Sequence, residues 1–194
     1  MRRILPVLLL SVMTAGASAQ TSGPYPGPQP VPMPPPIPAP QDIPYPGGTI
    51  RLSVDATDPA QGIMRVHEVI PVAKSGPMVL LYPRWLPGNH APNGPINKFA
   101  GLTVQAGGKT VPWQRDTADV YAFHIDVPEG AREVALDFQY LSPVESREGR
   151  VVSTDVIVNL EWNAVILYPA GYYSRQIPVQ AEVKLPPGWQ IGTA

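Results

Sequence analysis

An all-β fold, either an antiparallel β-sandwich or a saddle-like sheet, is predicted for residues 49–194 by three features of the sequence. Apolar and polar residues alternate with a period of two in several runs, which is the pattern of strands with one buried face and one solvated face. Turns rich in glycine and proline separate these runs. No amphipathic helix longer than about three turns fits the sequence. Eight or so short strands are therefore expected.

The alternating runs predict the strands in chain order. In the first run, Ile50, Leu52 and Val54 form the apolar face, and a turn over 58–62 leads to a second strand at 63–72. The later predicted strands are a buried run at 78–81, a hairpin that joins 102–104 to 110–113 through 106–109, and strands at 121–127, 134–140 and 179–185. The chain stops where another strand would begin. Because native sheets avoid unpaired edges, we expect the domain of residues 49–194 to be incomplete at its C-terminus.

Residues 1–19 have the organisation of a secretory signal peptide. Arg2 and Arg3 precede an apolar stretch at 4–13, and Ala17-Ser18-Ala19 is a small-residue cleavage site. The apolar stretch has about half the length of a membrane span, so no membrane anchor is expected, although a short buried helix is the alternative. The sequence therefore predicts an exported protein, either periplasmic or secreted.

Residues 20–48 are a proline-rich linker, expected to be disordered and extended. A spacer that follows export is the preferred interpretation, and a proline-motif ligand for a partner domain is the alternative. The sequence contains no cysteine, so the exported domain must be stabilised by its core alone. It also contains no block of Lys and Arg, which argues against a nucleic-acid partner.

The segment 82–95 is the best candidate for a functional site. It follows the buried strand at 78–81, and its four prolines prevent a helix or a central strand from continuing through it. Ordered loops of this kind on a β scaffold often carry recognition residues. The candidate residues in the loop are Arg84, Trp85, Asn89, His90 and Asn93. The alternative is a well-packed crossover loop in which Trp85 closes the edge of the sheet.

No catalytic or metal-ligating residue is predicted in this chain. His67 and Glu68 begin an H-E-x-x-H pattern, but the fifth residue is Pro71 and the segment reads as a strand, whereas the motif needs a helix to aim both imidazoles at one zinc. His67 and His124 are instead predicted to be surface histidines on the solvated faces of their strands.

The sequence resembles the N-terminal region of the glycyl aminopeptidase family of zinc metallopeptidases (peptidase family sixty-one). The similar segments are YPRWLPGNH at 82–90, NLEW at 159–162, LYP at 167–169 and LPPGW at 185–189. Their order and spacing extend the resemblance over roughly residues 49–194, essentially all of the folded part.

The resemblance implies a parent protein with an N-terminal β domain, a catalytic domain carrying H-E-x-x-H and a C-terminal PDZ-like domain. Its activity would be the removal of N-terminal Gly or Ala from peptides, with zinc held in the catalytic domain. This chain ends before that domain begins, so neither the zinc ligands nor the general base can be assigned to it. The partners implied are therefore the catalytic domain of the same polypeptide and a peptide substrate.

Two functions follow from these expectations. In the first, the chain is the non-catalytic N-terminal domain of an exported zinc aminopeptidase, packing on the catalytic domain and lining the substrate groove with the 82–95 loop. In the second, it is a free-standing exported β-sandwich module that binds glycan or peptide. Hydrolysis by this chain alone is not expected.

Overall fold

A computed structural model of the chain describes Gly27 and residues 30–192. The predicted signal peptide at 1–19 lies outside the described residues, as do positions 20–26, 28 and 29 of the predicted linker. None of the helices in the described part of the chain has the length and apolar character needed to cross a bilayer.

The residues from Met33 onward form one compact unit built almost entirely from strands. The ten strands among the described residues are β1 (Ile50–Asp55), β2 (Ile63–Pro71), β3 (Gly76–Leu81), β4 (Phe99–Ala106), β5 (Lys109–Thr110), β6 (Trp113–Arg115), β7 (Ala122–Val127), β8 (Glu133–Leu141), β9 (Tyr168–Pro169) and β10 (Val179–Lys184). The helical pieces are short 3₁₀ turns at Pro59–Gln61, Ile96–Lys98, Ser146–Glu148, Trp162–Ala164 and Ser174–Gln176. The all-β prediction is confirmed.

The strands form two sheets. A six-stranded sheet has the order β10-β1-β2-β8-β4-β5, and a four-stranded sheet has the order β6-β7-β3-β9. All pairs are antiparallel except β1 and β10, which run parallel with Ile50 opposite Val179. β2 follows β1 through the turn at Pro59–Gln61, as predicted. The predicted hairpin is present, since Gln105 pairs with Thr110, but its second arm at 110–113 is shorter than predicted, because Trp113 begins β6 in the other sheet.

The core lies between the two sheets and follows the alternation seen in the sequence. Ile50 and Leu52 of β1 are 0% and 1% exposed, while Arg51 between them is exposed. Phe99 of β4 contacts Phe138 of β8 and Phe123 of β7, with ring centroids 4.7 and 5.4 Å apart, so aromatic rings join the two sheets. The hydrophobic effect of burying these faces is the main source of stability.

One predicted core face is wrong. The sequence gives β10 an apolar face that includes Val179 and Ala181, but both residues are exposed. β10 lies at the edge of the six-stranded sheet, and within the strand only Val183 is partly buried. Alternation correctly predicted the strand, but the burial of its apolar face depends on its place in the sheet.

Because β2 is a strand, His67 and Glu68 point to opposite faces of the sheet, as expected for a segment that cannot form H-E-x-x-H. The His67 side chain is 54% exposed, whereas Glu68 is fully buried in the core. The Oε2 atom of Glu68 accepts a hydrogen bond from the backbone N–H of Leu167 at 3.0 Å. Burial raises the pKa of the Glu68 carboxyl well above its usual range, so the neutral acid is favoured.

Residues 41–48, here called the strap, contact the β domain, although the sequence places them in the linker. The backbone N–H of Gln41 donates to Gly171, and Tyr173 donates back to Gln41. Tyr45 is 8% exposed and belongs to the hydrophobic core. Its hydroxyl donates to the carbonyl of Pro71 at 2.6 Å, and its ring meets Tyr172 edge-on. The strap thus adds an aromatic residue to the core ahead of β1.

Candidate functional site

The two ends of the 82–95 loop lie next to each other. Tyr82 is buried, with its hydroxyl donating to the carbonyl of Ala164 at 2.7 Å. The backbone N–H of Gly94 donates to the carbonyl of Arg84 at 2.9 Å, which closes the loop at its base. A side chain at Gly94 would collide with the carbonyl oxygen of Pro83. The two ends of the loop can therefore approach this closely only with glycine at position 94.

A neighbouring turn, residues 116–121, holds the loop in place. Arg84 forms an ion pair with Asp119 at 3.1 Å, and its guanidinium lies 6.0 Å from the ring centroid of Tyr121. The Tyr121 hydroxyl donates to the carbonyl of Gly94 at 3.2 Å. Polar contacts therefore clamp the loop in addition to the burial of Tyr82 and Leu86.

The turn is itself fixed by a buried carboxylate. Oδ1 of Asp116 accepts the backbone N–H groups of Ala118 and Asp119 at 2.8 and 2.9 Å. Oδ2 of Asp116 is 2.8 Å from Nε2 of His124. The hydrogen bond from His124, with those from the two backbone groups, lowers the pKa of Asp116 and keeps it ionised.

The prediction that His124 is a surface histidine is wrong. Its side chain is 18% exposed and pairs with Asp116, whose side chain is 3% exposed. Ala122, on the same predicted solvated face, is also buried. The turn at 116–121 folds over this face of β7 and brings the carboxylate to the imidazole. Eight residues separate the two side chains in the sequence, and the register of β7 does not reveal their contact.

A polar pocket of about 320 Å³ lies beside the loop. The loop contributes Leu86, Asn89 and Asn93 to its lining, and a segment that follows β8 contributes Arg150 and Glu161. Arg150 and Glu161 form an ion pair at 2.6 Å. Asn97, Lys98, Glu148 and Asn159 also line it, and Nζ of Lys98 donates to the carbonyl of Glu148 at 3.0 Å.

Two of the five predicted site residues line this pocket, and three do not. Asn89 and Asn93 face it, whereas Arg84 is engaged with Asp119, and Trp85 and His90 are exposed outside it. Trp85 is 64% exposed, so it does not close the edge of a sheet as the alternative interpretation required.

Sequence reasoning missed the charged residues of the pocket. These charged residues come from three separate places in the chain, Lys98 from one, Glu148 and Arg150 from another and Glu161 from a third, and the fold brings them to the loop. A signal for one of them was present, since Glu161 belongs to the NLEW segment that carries part of the family resemblance.

A row of Ser, His and Asp crosses the outer face of the six-stranded sheet. Ser53 on β1 stands opposite His67 on β2, which stands opposite Asp137 on β8. Nδ1 of His67 is 2.8 Å from Oδ1 of Asp137, but no hydrogen bond joins His67 to Ser53. The backbone N–H groups along paired strands are engaged in the ladder and cannot form an oxyanion hole. We therefore assign no catalysis to this row.

The described residues do not fit a zinc site. No group of three or more His, Cys, Asp or Glu side chains among residues 27 and 30–192 is arranged to hold a metal ion. His67 and His124 are each paired with an aspartate, and His90 lies exposed on the loop. No step of a zinc-dependent reaction can therefore be derived from this chain.

Comparison with known proteins relates the chain to peptidases. The family model described as Peptidase M61 N-terminal domain matches residues 51–194. No curated protein matches the sequence. Among solved structures, an aminopeptidase N family protein from Idiomarina loihiensis is similar with a TM-score of 0.53 and 14% sequence identity, over 72% of this chain and 22% of that one.

A second similar structure is an M1 zinc metallopeptidase variant from Deinococcus radiodurans bound to a Tyr-Ser-Ala substrate, with a TM-score of 0.39 and 11% identity over 74% of this chain and 32% of that one. At these identities the likeness concerns the fold alone. The chain spans between a fifth and a third of the length of these two proteins.

Proposed function

This chain belongs to the family of peptidase M61 N-terminal domains, and we propose that it is the non-catalytic N-terminal domain of an exported zinc aminopeptidase that removes Gly or Ala from peptide N-termini. In this role the domain packs on the catalytic domain and lines one side of the substrate groove. Zinc and its ligands are expected in the catalytic domain, and the residues of this chain bind and orient substrate without taking part in bond cleavage.

The observation that carries the groove role is the polar pocket beside the 82–95 loop. Its volume of about 320 Å³ is at the lower end of the range for small-molecule sites. Four asparagines line it, namely Asn89, Asn93, Asn97 and Asn159. Each amide offers both a donor and an acceptor, which matches the alternating N–H and C=O groups of a peptide backbone. The pocket therefore suits one to two residues of an extended peptide.

The pocket is lined by two cations, Lys98 and Arg150, and two carboxylates, Glu148 and Glu161, so its charge is balanced. This balance favours a peptide over a highly charged ligand. Arg150 is paired with Glu161, and Lys98 donates to a backbone carbonyl. Neither cation is placed as a free anion site, and Glu161 is not a free carboxylate. Specificity then comes from amide hydrogen bonds and from the size of the cavity, which is consistent with peptides that carry small residues.

The test is kinetic and uses the full-length parent. We expect Asn89→Ala and Asn93→Ala to lower kcat/KM on a glycyl peptide by roughly tenfold each, since each removes about one net hydrogen bond to substrate. Lys109→Ala, on the exposed β4–β5 turn outside the pocket, is the matched control and should leave kcat/KM unchanged. Unchanged values for both asparagine variants, with normal folding, would contradict the groove role.

The second candidate function is a free-standing exported module that binds glycan or peptide. The exposed indole of Trp85 favours it, because an aromatic face beside polar side chains is a common binding platform. Binding of glycan or peptide arrays by the 194-residue chain, lost in Trp85→Ala, would support this function. A reading frame that continues past residue 194 into a helix with H-E-x-x-H would support the peptidase domain instead.

A further inference from the structure

A second groove, of about 220 Å³, shares Asn159 and Leu160 with the polar pocket, and most of the side chains that line it are aliphatic or aromatic. Its walls are built mainly from Val156, Ile157 and Trp162 on one side and Leu185, Trp189 and Ile191 on the other. No charged side chain is among the residues that line it. We call it the apolar groove.

The rim of the apolar groove displays large aliphatic side chains to solvent. Val156, Ile157 and Ile191 are 78%, 61% and 63% exposed. Adjacent exposed aliphatic residues of this kind typically mark a surface that another molecule covers, because each large side chain gains about 1.5–3 kcal/mol when it is buried.

The turn at 154–157, which carries the exposed Val156 and Ile157, is fixed by its own hydrogen bonds. The backbone N–H of Thr154 donates to the carbonyl of Ile157 at 2.9 Å, and Ser153 and Val158 form a bridge beneath it. The Thr154 hydroxyl oxygen accepts the N–H of Ile157 at 3.2 Å. Val156 and Ile157 are thus presented outward by a turn with its own hydrogen bonds, which is the pre-organisation that a docking surface needs.

The position of the groove identifies its occupant. Residues 189–192, the last that the structure describes, form part of its lining. If the chain continues into a catalytic domain, as the proposed function requires, that domain is tethered at the groove and its effective concentration there is high. The uncharged lining offers a partner apolar contacts and hydrogen bonds but no salt bridge within the groove.

We propose that the apolar groove is the docking surface for the catalytic domain of the same polypeptide, and that Val156 and Ile157 anchor an apolar face of it. The proposal rests on the proposed function and names a surface distinct from the polar pocket, which is left free for substrate. In this arrangement residues 156–162 lie between the polar pocket, which binds substrate, and the apolar groove, which binds the catalytic domain.

Cysteine protection tests the proposal, since the chain has no cysteine of its own. Ile157→Cys, with Val156→Cys as a second variant, is compared with Val120→Cys, which is 49% exposed in the turn at 116–121 and does not line the groove. Alkylation rates are measured in the 194-residue chain and in the full-length parent. We expect the thiols at 156 and 157 to react at least about tenfold more slowly in the parent, and the thiol at 120 to change less than about twofold.

Three results would overturn the proposal. Equal rates in the two proteins would show that the catalytic domain docks elsewhere. Protection that grows with the concentration of the 194-residue chain would identify a second copy as the occupant, and protection by added glycyl peptide would identify substrate. Alkylation needs no peptidase activity, so the asparagine variants can lower kcat/KM while the thiols stay reactive. The groove role of the polar pocket would then survive the loss of this proposal.

Discussion

The strap at 41–48 and the loop at 82–95 are both irregular, proline-containing segments. Each buries a tyrosine, Tyr45 in the strap and Tyr82 at the start of the loop, but the loop also presents an aromatic residue to solvent. Tyr45 of the strap is 8% exposed and enters the core, while Trp85 of the loop is 64% exposed. The strap is fixed by burying its aromatic ring against Tyr172. The loop is fixed by a polar clamp, in which Arg84 pairs with Asp119.

The comparison shows that proline content alone does not decide what a segment does. Proline removes a donor and restricts φ in both segments, so neither can join a sheet as a regular strand. What differs is where the side chains find partners. In the strap the one aromatic residue is buried and contributes to stability. In the loop the buried tyrosine lies at the base, which leaves Trp85 and the asparagine side chains available for a ligand.

The largest expected effect is on the strap. Tyr45→Ala should lower the free energy of unfolding by about 3 kcal/mol, because it empties a site in the core. Tyr45→Phe keeps the ring and loses only the hydrogen bond to Pro71, so about 1 kcal/mol is expected. Burial raises the pKa of Tyr45 to about 12, and this hydrogen bond therefore persists across the usual pH range.

Urea denaturation measures both changes. If Tyr45→Ala unfolds at the same urea concentration as the unaltered chain, the strap is a passive linker and the contrast with the loop disappears.

The next effect is at the base of the loop. Gly94→Ala should destabilise the domain by about 2 kcal/mol, because the new methyl group meets the carbonyl oxygen of Pro83, which the backbone holds in place. Gly192→Ala is the control, since no atom lies within 4 Å of its new methyl group. Equal thermal midpoints for the two variants would mean that the loop relaxes freely, and that its closed shape is not enforced.

The sequence predicts the scaffold better than the site, and particular residues show why. The alternation of apolar and polar residues locates β1, β2 and β8, because this pattern can be seen within each strand's own sequence. Asn89 and Asn93 are predicted because they share one loop. Contacts between distant segments leave no such local pattern. Arg150 lines the same pocket as the loop although β4 to β8 lie between them in the chain, and Tyr45 packs against Tyr172 from the other end of the domain.

The polar clamp should respond to acid, unlike the strap's aromatic anchor. The pKa of Asp116 is depressed in the folded state, so its stabilising effect is present above its unfolded pKa, near 3.8, and is lost as pH falls through the lower folded value. Asp116→Asn should therefore be less stable than the unaltered chain at pH 7, and the difference should shrink below about pH 3.

Thermal unfolding measured at several pH values gives the stability difference between Asp116→Asn and the unaltered chain. Hydrogen exchange shows which segments of the chain are affected. Exchange should become faster in peptides covering 82–95 and 116–121 in the variant, with little change at 41–48. Faster exchange at 41–48 as well would show that the two anchors are coupled.

The smallest effect on stability is expected at Trp85, and it is the most direct test of the contrast. Trp85→Ala should change the free energy of unfolding by less than about 0.5 kcal/mol, because an indole that is 64% exposed contributes little to the core. Phe99→Ala, which removes a ring that touches both sheets, is the reference for a buried aromatic and should cost at least about 3 kcal/mol. A loss near that size for Trp85→Ala would place the indole in the packing of the domain. A stable Trp85→Ala variant with lowered kcat/KM in the full-length parent would instead assign its exposed face to ligand contact, as the comparison with Tyr45 predicts.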